Sequence, residues 1–530
     1  MHRISTADPE RQRIKASLKY KLSKKKVSHP KFKYMKKSLL VAIPLAVNSM
    51  AIAKTAEKPN IVFIFADDMT INSLGSTTNG EVKTPNLDRL RSQGTFFSHT
   101  FNQGGFNGAI SVASRAMMNT GKYLWKAMDA IGGVSGKAEN EWPDGIEPYK
   151  PEKPEKPVTM WSQHMKQAGY DTYMTGKWHV PIPAEDVFDQ VCHVRGGMPN
   201  QIKTRYARKF IEGQPDTWNA ADKSNGGYWK GGQHWSEVLR DDALRFIDEA
   251  KGKDNPFFMY LAFNAPHDPR QAPQEFLDMY PLENISIPEN FLPIYPYSEE
   301  CGSGRGLRDE RLAPFPRTEY AVKVNRKEYY ALITHLDAQI GKIVTALEKS
   351  GKLDNTYIFF VADHGLAVGD HGFIGKQNQY EASVRVPMFI VGPGIKQGAV
   401  VDDFMYLQDV MATSLDIAGS DALDEVDFRS FLPIAQGKRM EKRDAIISCY
   451  IGCQRMIRTD KYKMIIYPRA NVVRLYDMKN DPQEIRDLAE NIRYRKTMDK
   501  LFKRFKELQK EVKDPIDVTP YYNAFMADRK

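Results

Sequence analysis

Two adjacent acids, Asp67 and Asp68, follow the apolar run 61–66, and the pair Asp363-His364 follows the apolar run 357–362. Lys177-Trp178-His179 follows the run 171–176, and Pro266-His267 follows 257–265. Ligands of open α/β sheets bind beyond the carboxyl ends of the strands, so these four ends define one candidate pocket. Three gathered carboxylates repel one another unless a cation lies between them, and a divalent metal with oxygen ligands resolves that. His364 is either a further ligand or a residue standing behind the ligands. Arg115, Lys177 and Lys376 supply positive charge. Three cations, a metal and two histidines suit a tetrahedral oxyanion ester, sulfate or phosphate. His179 and His267 are the candidates to protonate a leaving alkoxide. Each piece alone has a plainer reading, such as a carboxylate capping a helix. Ser111-Val112-Ala113-Ser114-Arg115 precedes a short helical stretch. Taken alone, it reads as a helix start with Ser111 as N-cap and Arg115 as a solvated charge.

The elements that must hold these residues alternate. Apolar runs at 61–66, 171–174, 256–263, 357–362 and 387–391 read as buried strands, separated by amphipathic segments. A helix is predicted over 326–350, with Leu332, Leu336, Ile340, Ile343, Val344 and Leu347 at helical spacing and Gly351 as its stop. This is an α/β layered domain with a mostly parallel central sheet flanked by helices, assigned to residues 54–435. Residues 436–530 read as a smaller α+β subdomain with an antiparallel sheet. Its strands are predicted at 445–450, 454–458, 462–467 and 474–476, followed by a charged helix near 493–513. Two proline-rich stretches, 141–157 and 281–317, read as loops, and long loops in compact domains are often functional. The second carries Arg305, Arg308, Arg311 and Arg317, placed to meet an acidic sugar or to pair with Asp309 and Glu310.

The net charge of +10 over 530 residues is unevenly spread. Residues 1–53 hold thirteen Lys/Arg against Asp8 and Glu10. That leaves 63 of the 76 basic residues and 64 of the 66 acids for the rest of the chain. The basic excess belongs to the leader, which removes nucleic acid as a partner. Met35-Lys36-Lys37, the short apolar run 38–47 and Ala51-Ile52-Ala53 read as a secretory signal peptide cut after Ala53, with Met35 as an alternative start. The apolar run is too short to span a bilayer, and no later stretch is long enough. The expectation is an exported, periplasmic or secreted protein with no integral membrane segment. In that setting Cys192, Cys301, Cys449 and Cys453 could pair.

The segments "PNIVFIFADDM", "SVASR" followed by "NTGK", "TGKWH", "NAPHDP", "ADHGLAVGDHG" with Lys376, "RVPMFIVGPG" and "LYDMKNDPQEIRDLAEN" resemble, in this order, those of formylglycine-dependent sulfatases of the alkaline-phosphatase-like superfamily. The likeness runs from about residue 59 to 491. It implies that Ser111 is oxidised to Cα-formylglycine (3-oxoalanine). The serine form resembles the anaerobic bacterial type matured by a radical S-adenosylmethionine enzyme. The resemblance also implies that Asp67, Asp68, Asp363 and His364 hold Ca²⁺ together with residue 111. Many relatives have Asn at the position of His364. Arg115 and Lys177 would orient the formylglycine hydrate. Lys376 and His267 would grip the sulfate, with His267 as proton donor, and His179 would steady the second hydroxyl. The implied reaction is S–O cleavage of a sulfate monoester through a covalent sulfo-enzyme.

The substrate implied is a sulfated saccharide, of the kind that Bacteroidetes take from host or algal glycans. An exo-acting galactose or N-acetylgalactosamine sulfatase is favoured over hexuronate 2-sulfate, glucosamine 6-sulfate and choline sulfate. Tyr228, Trp229 and Trp235 on a glycine-rich stretch, with Trp218 nearby, suit stacking on sugar faces or ordinary packing. With Arg270 and Arg305 they complete the candidate sugar contacts. Two rivals stand beside this reading: a phosphomonoesterase or phosphonate monoester hydrolase of the same superfamily, and a non-catalytic glycan-binding protein.

Overall fold

Strand β1 (Asn60–Asp67) is buried along its whole length. It lies between β6 (Phe257–Pro266) and β7 (Thr356–Ala362), parallel to both. A strand enclosed in this way has no polar face to show, hence its near-continuous apolar sequence. These are the coordinates of a computed structural model, which describes residues 57–133, 146–152, 154, 156–196, 203–206, 208–229 and 231–527. The expected leader, 1–53, lies outside the described residues, as does part of the loop 141–157.

The remaining strands are β2 (Thr95–Phe101), β3 (Gly104–Gly105), β4 (Asp171–Lys177), β5 (Gln190–Arg195), β8 (Arg385–Val391), β9 (Ala399–Val401), β10 (Met405–Tyr406), β11 (Ala445–Tyr450), β12 (Gln454–Thr459), β13 (Tyr462–Tyr467) and β14 (Val472–Asp477). Among the described residues the large sheet runs β10-β2-β8-β7-β1-β6-β4-β5, with β9 beside β2. Its pairings are parallel except at β8, which is antiparallel to both β7 and β2. The mostly parallel sheet read from the sequence is therefore present. Strands β2, β3, β5, β9 and β10 were not expected. The two-residue strands are too short to carry a period, and β5 is a partly exposed edge with polar residues on both faces.

The long helix spans Glu319–Lys349 and starts seven residues before its predicted bound. Thr318 caps it by accepting the N–H of Ala321 at 3.1 Å, a signal that lies ahead of the apolar stripe. The helix packs against β6 and the helix Trp235–Lys251. Among the described residues no helix is long and apolar enough to cross a membrane. The four cysteines, for which pairing was possible but not assigned, are free, and three of them are buried.

The second sheet runs β14-β13-β12-β11-β3. Its four C-terminal strands are antiparallel neighbours, as expected. Strand β3 joins them in parallel from the segment that leads into Ser111. Gly104 makes this approach feasible: a Cβ there would sit 1.7 Å from the Cys449 carbonyl oxygen, and its φ is +104°. The two sheets are thereby joined just ahead of the candidate nucleophile.

Candidate active site

The carboxyl ends of β1, β4, β6 and β7 deliver Asp67, Lys177, His267 and Asp363-His364 to one buried pocket. The helix Ile110–Thr120 brings Ser111 to the same place. Ala109 occupies the N-cap position, and Ser111 is the second helical residue. The N-cap reading of Ser111 is thus corrected. Its hydroxyl donates to Asp67 Oδ1 at 3.2 Å and lies 3.1 Å from His364 Nε2. Lys177 Nζ is 3.5 Å from Ser111 Oγ and pairs closely with Asp67 Oδ2.

Arg115 is fully buried, so the solvated-charge reading is corrected too. Four residues beyond Ser111, one helical turn brings it to the same face. Its Nη1 donates to the Lys177 carbonyl at 2.7 Å, and its Nε lies 3.4 Å from Asp363 Oδ2. The guanidinium rests 4.6 Å over the Phe65 ring. Asp363 and Asp67 outweigh the cost of burial and strengthen its hold on its proton.

Asp68 and His179 adopt left-handed backbone, with φ of 65° and 55°. Such conformations cost energy for non-glycine residues and collect at functional sites. At Asp68 the turn directs the carboxylate to Lys376 Nζ, at 2.8 and 2.9 Å, and to His364 Nε2 at 3.0 Å. Burial opposes ionisation of Asp68, but His267, Lys376 and His364 together hold its carboxyl well below the usual range. The same balance holds for Asp363, where His364, Arg115 and Lys177 outweigh burial. Burial also pulls Lys177 downward, against the attraction of Asp67. Lys376 goes the other way, because Asp68 and Asp309 more than offset its burial.

The donor set fits a hard divalent cation. The ligand atoms of Asp67, Asp68, Asp363 and His364 all lie within 4.8 Å of one another. Asp363 Oδ2 is buried without a hydrogen bond. His364 donates from Nδ1 to the Gly365 carbonyl at 2.8 Å, which turns Nε2 and its lone pair toward the carboxylates.

His267 Nε2 faces Lys376 Nζ at 3.0 Å, and its Nδ1 faces Asp268 Oδ1 at 2.6 Å. Asp268 is itself held by Arg205 Nη2 at 2.6 Å, both side chains being buried. Sequence reasoning passed over Asp268 and Arg205. The signal for Asp268 was its place beside His267 in "NAPHDP". His179 is pushed down to about 2, first by burial and then by Lys177 and Arg115, so its imidazole is neutral.

The loop 281–317 carries a structural role. Glu310 accepts the N–H groups of Ile374 and Gly375 at 3.0 and 2.9 Å, and Asp309 accepts from Gln377 at 2.8 Å. These bonds brace the backbone ahead of Lys376 and the Gln377 side chain after it. Arg308 pairs with Asp309 and Arg317 with Glu310, as one of the two sequence readings held.

The expected sugar contacts are not gathered as a set. Trp235 lines a cleft beside His267, and Trp229 packs edge-on against it at 4.5 Å. Tyr228 and Trp218 are buried and offer no face to a sugar. Arg270 is buried behind the site, bonded to Asn325 Oδ1 and 5.9 Å over the Tyr329 ring, whose hydroxyl donates to the Asp68 carbonyl. Arg305 is exposed and lies over Phe315.

The sulfatase family profile matches residues 59–420, and a profile described as N-sulphoglucosamine sulphohydrolase, C-terminal, matches residues 369–511. The chain is 29% identical over 480 residues to an arylsulfatase of Clostridium perfringens, covering 84% of this chain and 93% of that one. A solved structure in complex with its substrate D-glucosamine-2-N,6-O-disulfate superposes with a TM-score of 0.65 and 22% identity, over 88% of this chain and 99% of the other. The phosphonate monoester hydrolase of Agrobacterium radiobacter also superposes with a TM-score of 0.65, at 20% identity, over 86% and 96%. The fold is therefore alkaline-phosphatase-like, as the motif order implied. The profile covers most of the described chain and includes every residue gathered in the pocket: this chain belongs to the sulfatase family and is a sulfuric ester hydrolase.

Proposed function

We propose that the protein removes sulfate from a saccharide, with Ser111 serving after oxidation to formylglycine. The observation that carries this reading is the position of the Ser111 hydroxyl, bonded to Asp67 and close to both His364 and Lys177. An unmodified serine hydroxyl is a weak nucleophile. The hydrated aldehyde supplies two hydroxyls, one to meet sulfur and one to drive sulfate release. Serine rather than cysteine at 111 points to maturation by a radical S-adenosylmethionine enzyme, and the leader points to export.

Asp67, Asp68, Asp363 and His364 would hold the metal, taken to be Ca²⁺, which when bound supplies positive charge to the sulfate oxygens. The chain's own residues do the rest. Arg115, tied to the Lys177 carbonyl, fixes residue 111 against the β4 end. Lys177 stays close to Asp67 and donates toward residue 111. Lys376 contributes charge to the sulfate site. His267 turns Nε2 to Lys376 Nζ, so that a proton can pass from the ammonium through the imidazole to the leaving oxygen, while Asp268 holds Nδ1–H. His179 is neutral and acts as a hydrogen-bond partner or base, not as the acid. A saccharide leaving group is supported by the half-buried Trp235 beside His267 and by the similar protein solved with a disulfated glucosamine.

The test is sulfate release from a panel of sulfated sugars, with kcat/KM compared on matched sulfate and phosphate esters. A sulfate preference of about a hundredfold or more, 2.7 kcal/mol or above in transition-state stabilisation, is expected. A preference for phosphate or phosphonate esters, or saccharide binding without turnover by protein carrying formylglycine, would overturn the reading.

A further inference from the structure

Most cations around the pocket are paired with a carboxylate, and Arg270, which is not, is hydrogen-bonded to Asn325 Oδ1. Lys177 meets Asp67, Lys376 meets Asp68, Arg115 meets Asp67 and Asp363, Arg205 meets Asp268, and Arg308 meets Asp309. Arg195 ends strand β5, directly across from Lys177 in the β4–β5 register, and its carbonyl accepts the N–H of Trp178 at 2.8 Å. Its residue exposure is only 8%. Among the described residues no carboxylate pairs with it and its guanidinium has no hydrogen-bond partner. The guanidinium instead lies over the Trp235 ring, 3.9 Å from its centroid. Trp229 supports Trp235 from the side, at 4.5 Å.

Arg195 and Trp235 line a narrow cleft together with Asn264, His267 and Asp268. Asn264 Nδ2 is also buried without a hydrogen-bond partner. Two unpartnered donors, one of them charged, thus share a cleft whose wall is the acid–base histidine. Buried polar groups are normally satisfied, and buried charges are normally paired. Burial pulls Arg195 down to about 10, with the charge of Asp67 opposing, as an uncompensated cation would behave. A planar guanidinium fork held on an aromatic face is built for an oxyanion with two acceptor oxygens.

We propose that Arg195, held against Trp235 and assisted by Asn264, binds a second anionic group of the sugar in the cleft beside His267. That group is a carboxylate or a further sulfate, distinct from the sulfate being cleaved. The inference rests on the saccharide reading above and adds to it a preference for doubly anionic sugars.

Two matched pairs separate the sources. Glucosamine 6-sulfate against glucosamine 2-N,6-O-disulfate tests a second sulfate. A hexose 2-sulfate against the corresponding hexuronate 2-sulfate tests a carboxylate. Binding is measured by calorimetry on full-length Ser111→Ala protein, so the result does not depend on turnover, and kcat/KM is measured on the matured enzyme. In at least one pair the doubly anionic member should bind at least tenfold tighter. Arg195→Gln should bring that ratio within twofold of unity, and Arg195→Lys should retain part of it, since charge survives without the fork. A ratio unaffected by Arg195→Gln, or no preference or no binding in either pair, overturns the proposal. Failure of the saccharide reading looks different: the calorimetric ratio stands and responds to Arg195→Gln, while the matured enzyme releases no sulfate from any of the four sugars.

Discussion

His267 and Lys376 meet head to head, with imidazole Nε2 3.0 Å from ammonium Nζ. An ammonium can only donate, so Nε2 is the acceptor and Nδ1 carries the ring proton toward Asp268, 2.6 Å away. The pair stands at the pocket wall, between the Asp68 carboxylate and the cleft lined by Trp235.

A proton donor matters most when the leaving alcohol is poor. His267→Ala should lower kcat/KM on a sugar sulfate by about 10²–10³-fold, within the range general acids supply. The loss on 4-nitrophenyl sulfate, whose leaving group needs little help, should be at least tenfold smaller. Equal losses on both esters would remove His267 from the acid role.

Gly176 precedes Lys177 at a register shift between β4 and β5, with φ of +95°. A Cβ there would sit 2.0 Å from the Ala262 carbonyl oxygen, on the neighbouring strand. Gly176→Ala should therefore destabilise the protein by about 3 kcal/mol and displace Lys177, lowering kcat along with the urea midpoint. An unchanged midpoint would show that the β4 end tolerates the side chain.

His179 titrates near its ordinary 6.5 when unfolded but only at about 2 in the fold. The unfolded chain then binds one more proton between those values, so this residue makes stability fall as pH drops below about 6.5. His179→Asn should flatten the acid limb of the stability curve. It should also lower turnover without removing a limb of the pH–rate profile, because the imidazole stays neutral throughout. Loss of a limb would contradict its neutrality.

A metal bound at Asp67, Asp68, Asp363 and His364 would stabilise the folded state by mass action. Prolonged chelation should lower both activity and Tm, and Ca²⁺ should restore both. Asp363→Asn should abolish the response of Tm to added Ca²⁺. A Tm indifferent to chelator and to Ca²⁺ would mean that the cluster is satisfied by its own cations.

Much of the site was legible because it sits at strand ends. Strands β1, β6 and β7 are buried on both faces, so their apolar runs stop abruptly, and the titratable residue after each stop stands out: Asp67, His267, Asp363. Residues that act from behind left weaker marks. Asp268 sits in a loop and Asp309 and Glu310 in a single 3-10 turn, where acids are ordinary, and their roles depend on contacts with Arg205, the Gln377 side chain and the Gly375 backbone. Arg195 was missed because β5 is a mixed edge strand without a readable period. Tyr228 shows the converse: its glycine-rich surroundings suggested exposure, but its ring, like that of nearby Trp218, is buried.

The central claim is that residue 111 works as formylglycine, and the direct measurement is mass spectrometry of the peptide spanning Ser111. The protein should come from its own host, or be made with a serine-competent maturation enzyme. Oxidation of the serine removes two hydrogens, so a loss of about 2 Da at residue 111 is expected, a covalent change that alters its chemistry. An intact serine in protein that still releases sulfate would contradict the account.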